Sequence, residues 1–209
     1  MARRLYSAAV LISVAMLASG AAAQEKNELT GIIGRTFIAD QRVLGVSTSD
    51  TTLRSGKGTT FELNYGRRLK DAGIAALTLE VPLVGNFDED IQFSANLVPE
   101  GYKSYFLTPS VRANLFPEAG LSPWVSVGGG FGHFSESSSL ESGGPNPGKT
   151  GSSSGVFQIG AGFDARVRDR FSVRGEVRDF FSGVPQLNVN TGKSRQHNLF
   201  VGAGIVWRF

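Results

Sequence analysis

Eight stretches of this 209-residue chain alternate apolar and polar side chains with a period of two: 28–37, 58–69, 74–84, 104–116, 123–134, 155–167, 171–181 and 196–209. That period belongs to a β-strand with unlike faces, because successive side chains of a strand point to opposite sides of its sheet. Each run is about 10 to 14 residues long, enough for a tilted strand to cross a bilayer with overhang, whereas strands of soluble domains average about 5 to 6. The connections sort by length. Segments 38–57, 85–103, 135–154 and 182–195 are long and rich in Gly, Ser, Asn, Asp and Pro, while 70–73, 117–122 and 168–170 are short. Long and short connections alternate in an up-and-down barrel with large loops at one end and tight turns at the other. A soluble sandwich has no physical reason to sort its loops this way.

The faces refine this reading. Leu77, Leu79, Val81 and Leu83 oppose Thr78 and Glu80; Phe157, Ile159, Ala161 and Phe163 oppose Gln158 and Asp164; Val173 and Val177 oppose Arg174, Glu176 and Arg178. The first run, with Leu29, Ile32, Ile33, Arg35 and Phe37, has no clean face. Aromatics decide which face points outward. Phe116, Trp124, Phe171, Trp207 and Phe209 gather near the short turns, and Phe61, Tyr105, Phe131 and Phe181 near the long loops. Two aromatic bands separated by aliphatics match the two interfaces of a membrane. The expected fold is therefore all-β: an eight-stranded antiparallel up-and-down transmembrane β-barrel, closed because open sheet edges do not survive in hydrocarbon. Its lumen is expected to hold Glu62, Glu80, Arg112, Asp164, Arg166, Arg174, Glu176 and Arg178, paired into a polar plug, since a barrel of this size is just wide enough for its side chains to fill. Glycines 128, 130, 160, 162, 202 and 204 on that face would relieve crowding beside the arginines.

The first 23 residues read as a secretory signal: Arg3 and Arg4, an apolar stretch from Leu5 to Leu17, then small residues ending in Ala21-Ala22-Ala23 before Gln24. Residues 24–209 form the barrel domain on this reading. With no cysteine in the chain, disulfides, thiolate metal sites and cysteine nucleophiles are excluded. Without Arg3 and Arg4 the charges nearly balance and no basic block remains, so the isoelectric point of 9.4 does not argue for nucleic-acid binding.

The terminal run Leu199-Phe200-Val201-Gly202-Ala203-Gly204-Ile205-Val206-Trp207-Arg208-Phe209 resembles the last strand of bacterial outer-membrane proteins, which end on an aromatic residue. With the leader and the eight runs, the chain resembles the small eight-stranded outer-membrane β-barrels of the OmpA transmembrane-domain, OmpX and opacity-protein types. That resemblance implies a bacterial outer-membrane location among lipid and lipopolysaccharide, and escort by periplasmic chaperones. It also implies insertion by the barrel-assembly machinery, which would read Ile205, Trp207 and Phe209 as a signal. It implies no shared active site.

Motifs with chemical potential are few. An outer-membrane lipid A deacylase family carries a His-x-Ser pair on the lipid side of its seventh strand, followed by Asn. Here His133-Phe134-Ser135 lies on the fifth run and is followed by Glu136. Glu136 or Glu141 would have to orient the histidine. Asp88-Glu89-Asp90 reads as a solvated acidic loop, and Ser55-Gly56-Lys57-Gly58-Thr59 lacks phosphate-loop spacing. His197 reads as a rim residue. No catalytic, cofactor-binding or metal site is expected. The expected role is that of a structural or surface-interaction protein binding an extracellular ligand through its long loops. The alternatives are a narrow, porin-like channel for ions or small solutes and a lipid A-modifying enzyme.

Overall fold

The computed structural model describes residues 26–209, so the leader assigned to 1–23 lies outside the described residues. Eleven strands form: β1 (Asn27–Phe37), β2 (Gln41–Arg42), β3 (Thr52–Ser55), β4 (Thr59–Asp71), β5 (Ala75–Gln92), β6 (Gly101–Leu107), β7 (Ser110–Leu115), β8 (Leu121–Glu136), β9 (Ser152–Arg168), β10 (Phe171–Gly183) and β11 (Arg195–Arg208). Eight antiparallel staves make a ring: β1, β4, β5, the tandem β6 and β7, β8, β9, β10 and β11. The last stave pairs back onto the first, from Glu28↔Arg208 to Phe37↔Leu199, which leaves the ring no open edge. The fourth stave is broken at Thr108-Pro109 because Pro109 has no N–H to give the ladder. The neighbouring amides of Thr108 and Gly129 donate to the carbonyls of Pro82 and Pro109 instead. Strands β2 and β3 form a small hairpin inside the first long connection, and β3 pairs with the end of β5.

The apolar face looks outward. Leu63, Val125 and Ile159 are each at least half exposed, while Arg174 and Arg178 are 0% exposed. That inversion of a soluble protein fits a ring whose outer solvent is lipid tails. The first stave resolves cleanly: Glu28, Thr30, Ile32 and Thr36 point in, and Leu29, Ile33, Arg35 and Phe37 point out. Phe116, Phe171 and Trp207 are exposed at the short-turn end, and Phe61, Tyr105 and Phe131 at the long-loop end. Trp124 departs from its assignment to the outer band. It is buried inside the ring, because Val125 and Val127 face out and period-two geometry sends Trp124 the other way.

Inward glycines let neighbouring backbones approach closely. A Cβ on Gly204 would sit 1.9 Å from the carbonyl oxygen of Gly31 across the closing seam. At Gly160 the nearest atoms are side-chain ends of Gln158 and Ser126 at 2.8 Å, which have freedom to move. Gly204→Ala is therefore expected to abolish most of the fast-migrating folded form on unboiled gels after refolding into vesicles, and Gly160→Ala to leave most of it. Equal yields from the two variants would contradict the seam argument.

Candidate functional site

The lumen is filled in storeys. The one nearest the short turns is ionic. Arg112 on β7 pairs with Glu80 of β5 at 3.1 Å and with Glu28 of β1, and its Nε donates to Asn114. Arg174 on β10 grips Asp164 of β9 with two hydrogen bonds of 2.7 and 2.9 Å and reaches Glu28 at 3.0 Å. Arg178 binds Glu176 through Nε and Nη2, meets Glu80 at 2.9 Å and lies 3.4 Å from Glu62. Arg208 of β11 closes the set against Asp164 at 2.9 Å. Glu80 also accepts from Asn64 and Ser110. The indole of Trp124 lies beneath three of these guanidiniums, with its ring 5.2–5.6 Å from Arg112, Arg174 and Arg178. Charges taken from water need partners and fixed hydrogen bonds, and planar guanidiniums provide both.

The next storey toward the long loops is an apolar belt, and above it Thr36, Thr60, Asn86, Glu89, Gln196 and Asn198 are again buried and hydrogen-bonded to one another. Ile32, Val84, Phe106, Phe134, Val156, Phe180 and Phe200 fill the belt, each at most 5% exposed. Phe106 and Phe180 stack at 4.9 Å with ring planes 7° apart, and Phe134 meets Phe106 edge-on. The cluster continues upward into residues of the long connections: Ile38, Val43, Leu53, Phe93, Val98 and Leu187. The outer mouth is thus roofed by the loops themselves.

A closed eight-stave ring, apolar outside and filled inside, narrows the comparisons to membrane barrels. A family model described as "Outer membrane protein beta-barrel domain" matches residues 7–209. The chain belongs to that family. Among solved structures, the outer-membrane barrel is similar to Neisserial surface protein A, with 14% identity over 90% of this chain and 100% of that one and a TM-score of 0.53. It is equally similar to the N-terminal β-barrel domain of Pseudomonas aeruginosa OprF, with 14% identity over 89% and 98% of the two chains and a TM-score of 0.53. OprG of the same organism follows at 10% identity, 88% and 95% coverage and a TM-score of 0.53. No curated protein matches the sequence. These likenesses are of fold, and the family places the protein in the bacterial outer membrane.

Within the outer-membrane barrel, seven of the eight residues assigned to the lumen meet in the ionic storey: Glu62, Glu80, Arg112, Asp164, Arg174, Glu176 and Arg178. Arg166 does not. It shares their parity but lies past the buried end of β9, where it is exposed, donates to the Pro117 carbonyl and pairs with Glu118 at the short-turn mouth. Three members were missed. Glu28 sat on the run without a clean face, Arg208 lay at the chain end, and Trp124 was assigned to the girdle by type. The four inward phenylalanines were also missed, although each sits next to an outward residue (Tyr105, His133, Phe181, Leu199) and parity alone assigns it inward. Of the terminal trio, Ile205 and Trp207 face out, and Phe209 packs on Trp207 while its backbone exchanges two hydrogen bonds with Asn27.

The remaining motifs disperse. His133 faces outward near the long-loop rim, but its Nδ1 meets Ser153 of β9 at 2.9 Å rather than Ser135. Glu136 turns inward to Ser152 and the Gln186 amide, and Glu141 accepts from the Phe93 amide, so neither orients His133. Within Asp88-Glu89-Asp90, a bulge with Asp88 at φ 64° turns Glu89 inward, where it accepts from Gly58 and Asn86, while Asp88 and Asp90 stay exposed. Among the described residues no group of three or more such side chains is arranged to hold a metal ion.

Proposed function

We propose that this barrel is a non-conducting, non-enzymatic surface protein, a rigid stake that holds its long connections on the cell exterior as one binding face. The observation that carries this reading is the filling of the lumen across its section, by paired ions below and by a belt of packed phenylalanines above them. The long connections support the display role because they are bonded to one another. Asn188 joins Asn146 at 2.7 Å and the Leu97 carbonyl, Glu141 holds the Phe93 amide, and Ser94 donates to the Asp50 carbonyl. Asp50 steadies the β2–β3 hairpin: the Thr52 amide and then Arg54 hold its carboxyl down at about 2. Loops fixed in this way meet a ligand without much ordering cost. By resemblance to the family, lipopolysaccharide surrounds the barrel and the assembly machinery reads the outward edge at Ile205, Trp207 and Phe209.

The test is electrical. Purified protein in planar lipid bilayers is expected to give no stepped conductance at several hundred millivolts. Reproducible unitary steps would refute the plug and favour the narrow-channel alternative.

A further inference from the structure

At the long-loop end, two cations, one on the outward face of β1 and one on the segment leading into β4, make no ion pair, although the backbone on either side of the second is bonded to Asp90 and Glu89. Arg35 projects outward between Ile33 and Phe37, and its cross-strand neighbours are Thr59 of β4 and the exposed Val201 of β11. Lys57 lies diagonally across from it, its ammonium 5.8 Å over the Phe37 ring. Among the described residues neither makes an ion pair or a side-chain hydrogen bond with a carboxylate. The contrast with the short-turn mouth is direct, since Arg68 and Arg166 there are both paired with Glu118. The level is also defined: Thr59, between Arg35 and Phe87, lies beside the outward cluster in which Phe61 and Tyr105 pack on Phe87 at 6.1 and 5.7 Å. A cation on the lipid face is costly at mid-bilayer and nearly free at the interface, where headgroup anions can meet it.

We infer that Arg35 and Lys57 form a binding site for one phosphate of a phosphorylated glycolipid in the outer leaflet. The surrounding chemistry fits the rest of such an amphiphile. Toward mid-membrane the same face is Ile33, Val201 and Ala203, a greasy wall for acyl chains. On the other flank, across Leu199, the outward Asp179 of β10 binds His197 of β11 at 2.6 Å. That carboxylate is engaged by its histidine rather than by Arg35 or Lys57, and the pair offers hydrogen-bonding groups at the level of a sugar. Charge complementarity decides the occupant: two unpaired cations take a phosphate, and the hydrogen-bonding flank favours a sugar headgroup over a simple glycerophospholipid. The inference rests on the long loops facing outward and is independent of whether the lumen conducts.

Native mass spectrometry of the purified protein in detergent tests it, with diphosphorylated lipid A as the probe. The expected result is one retained lipid A per barrel and at least tenfold weaker retention in the double variant Arg35→Gln/Lys57→Gln. Lys103→Gln, an outward lysine on β6 three staves away, is expected to change nothing. Dephosphorylated lipid A is expected to lose the same tenfold on the unaltered protein, an arm that does not depend on any variant folding. Phosphatidylglycerol and inorganic phosphate are expected not to displace lipid A at equal concentration. Full retention by the double variant, an equal loss in Lys103→Gln, undiminished binding of the dephosphorylated lipid, or displacement by phosphatidylglycerol or free phosphate would each overturn the site.

Discussion

Replacing Arg178 with methionine is expected to cost about 3–5 kcal/mol of unfolding free energy, read from urea titrations of the barrel in lipid vesicles. The size follows from what would be left behind. Arg178 is fully buried, and its guanidinium serves Glu62, Glu80 and Glu176 at once. Methionine fills much of the volume but leaves Glu62 and Glu176 without a cation, and Glu80 with only Arg112. Removing one partner of a buried ionic group is far worse than removing the group entirely, because uncompensated charge remains in a low-dielectric site. Two further variants follow from the same logic. Arg178→Lys keeps the charge but loses the fork that binds Glu176 at two points, so its loss is intermediate. Arg166→Met, at the solvated mouth, is expected to fall within about 1 kcal/mol of the parent, as exposed pairs do. If Arg178→Met and Arg166→Met lost similar amounts, the ionic storey would not be what holds the lumen together.

The contrast between these two arginines shows how far the amino-acid order reveals the site. Period-two alternation assigns Arg166 and Arg174 the same face, but it says nothing of where a stave leaves the closed ring, and only that boundary separates a buried charge from a rim charge. Ring closure is invisible for the same reason. Arg112 meets Glu28 across the barrel, 84 positions away in sequence, because β1 and β11 zip together and set the stagger of every stave. The stave architecture itself was legible, since lipid outside and polar groups inside impose a pattern on each strand separately. Where residue type was weighed above parity, the reading failed. Trp124 was drawn to the girdle as an aromatic, and the polar face was taken to be polar along its whole length. In fact Phe106, Phe134, Phe180 and Phe200 interrupt that face as an apolar belt above the ions, and the inward positions turn polar again on its loop side at Ser104, Glu136, Ser182 and Asn198. The first stave was unreadable because the inward Ile32 belongs to this apolar storey while its outward Arg35 belongs to the membrane interface, so both break the simple rule.

Trp124→Ala is the second large effect, expected to destabilise by about 3–5 kcal/mol in the same titration. The indole is packed to contact: a Cβ on Gly162 would come within 2.6 Å of it, and Gly162 is the residue opposite Trp124 across β8 and β9. Truncation would leave a gap with three guanidiniums around it and no π face beneath them, so lost packing and lost cation–π attraction act together. Trp124→Phe retains a face and should lose clearly less. Val125→Ala, one residue along but pointing to lipid, should lose least, since it opens no gap in the lumen. The chain has only two tryptophans, so Trp207 at the interface remains as the fluorescence reporter in the variant. A double-mutant cycle with Arg178→Met separates the causes. If the ring acts through the guanidiniums, the paired loss falls well short of the sum, and strict additivity would reduce Trp124 to a space-filler. Conductance gives a second readout. Trp124→Ala hollows only the ionic storey, so the aromatic storey above should keep the barrel silent in bilayers, and a channel opened by this one change would mean that the indole was the seal.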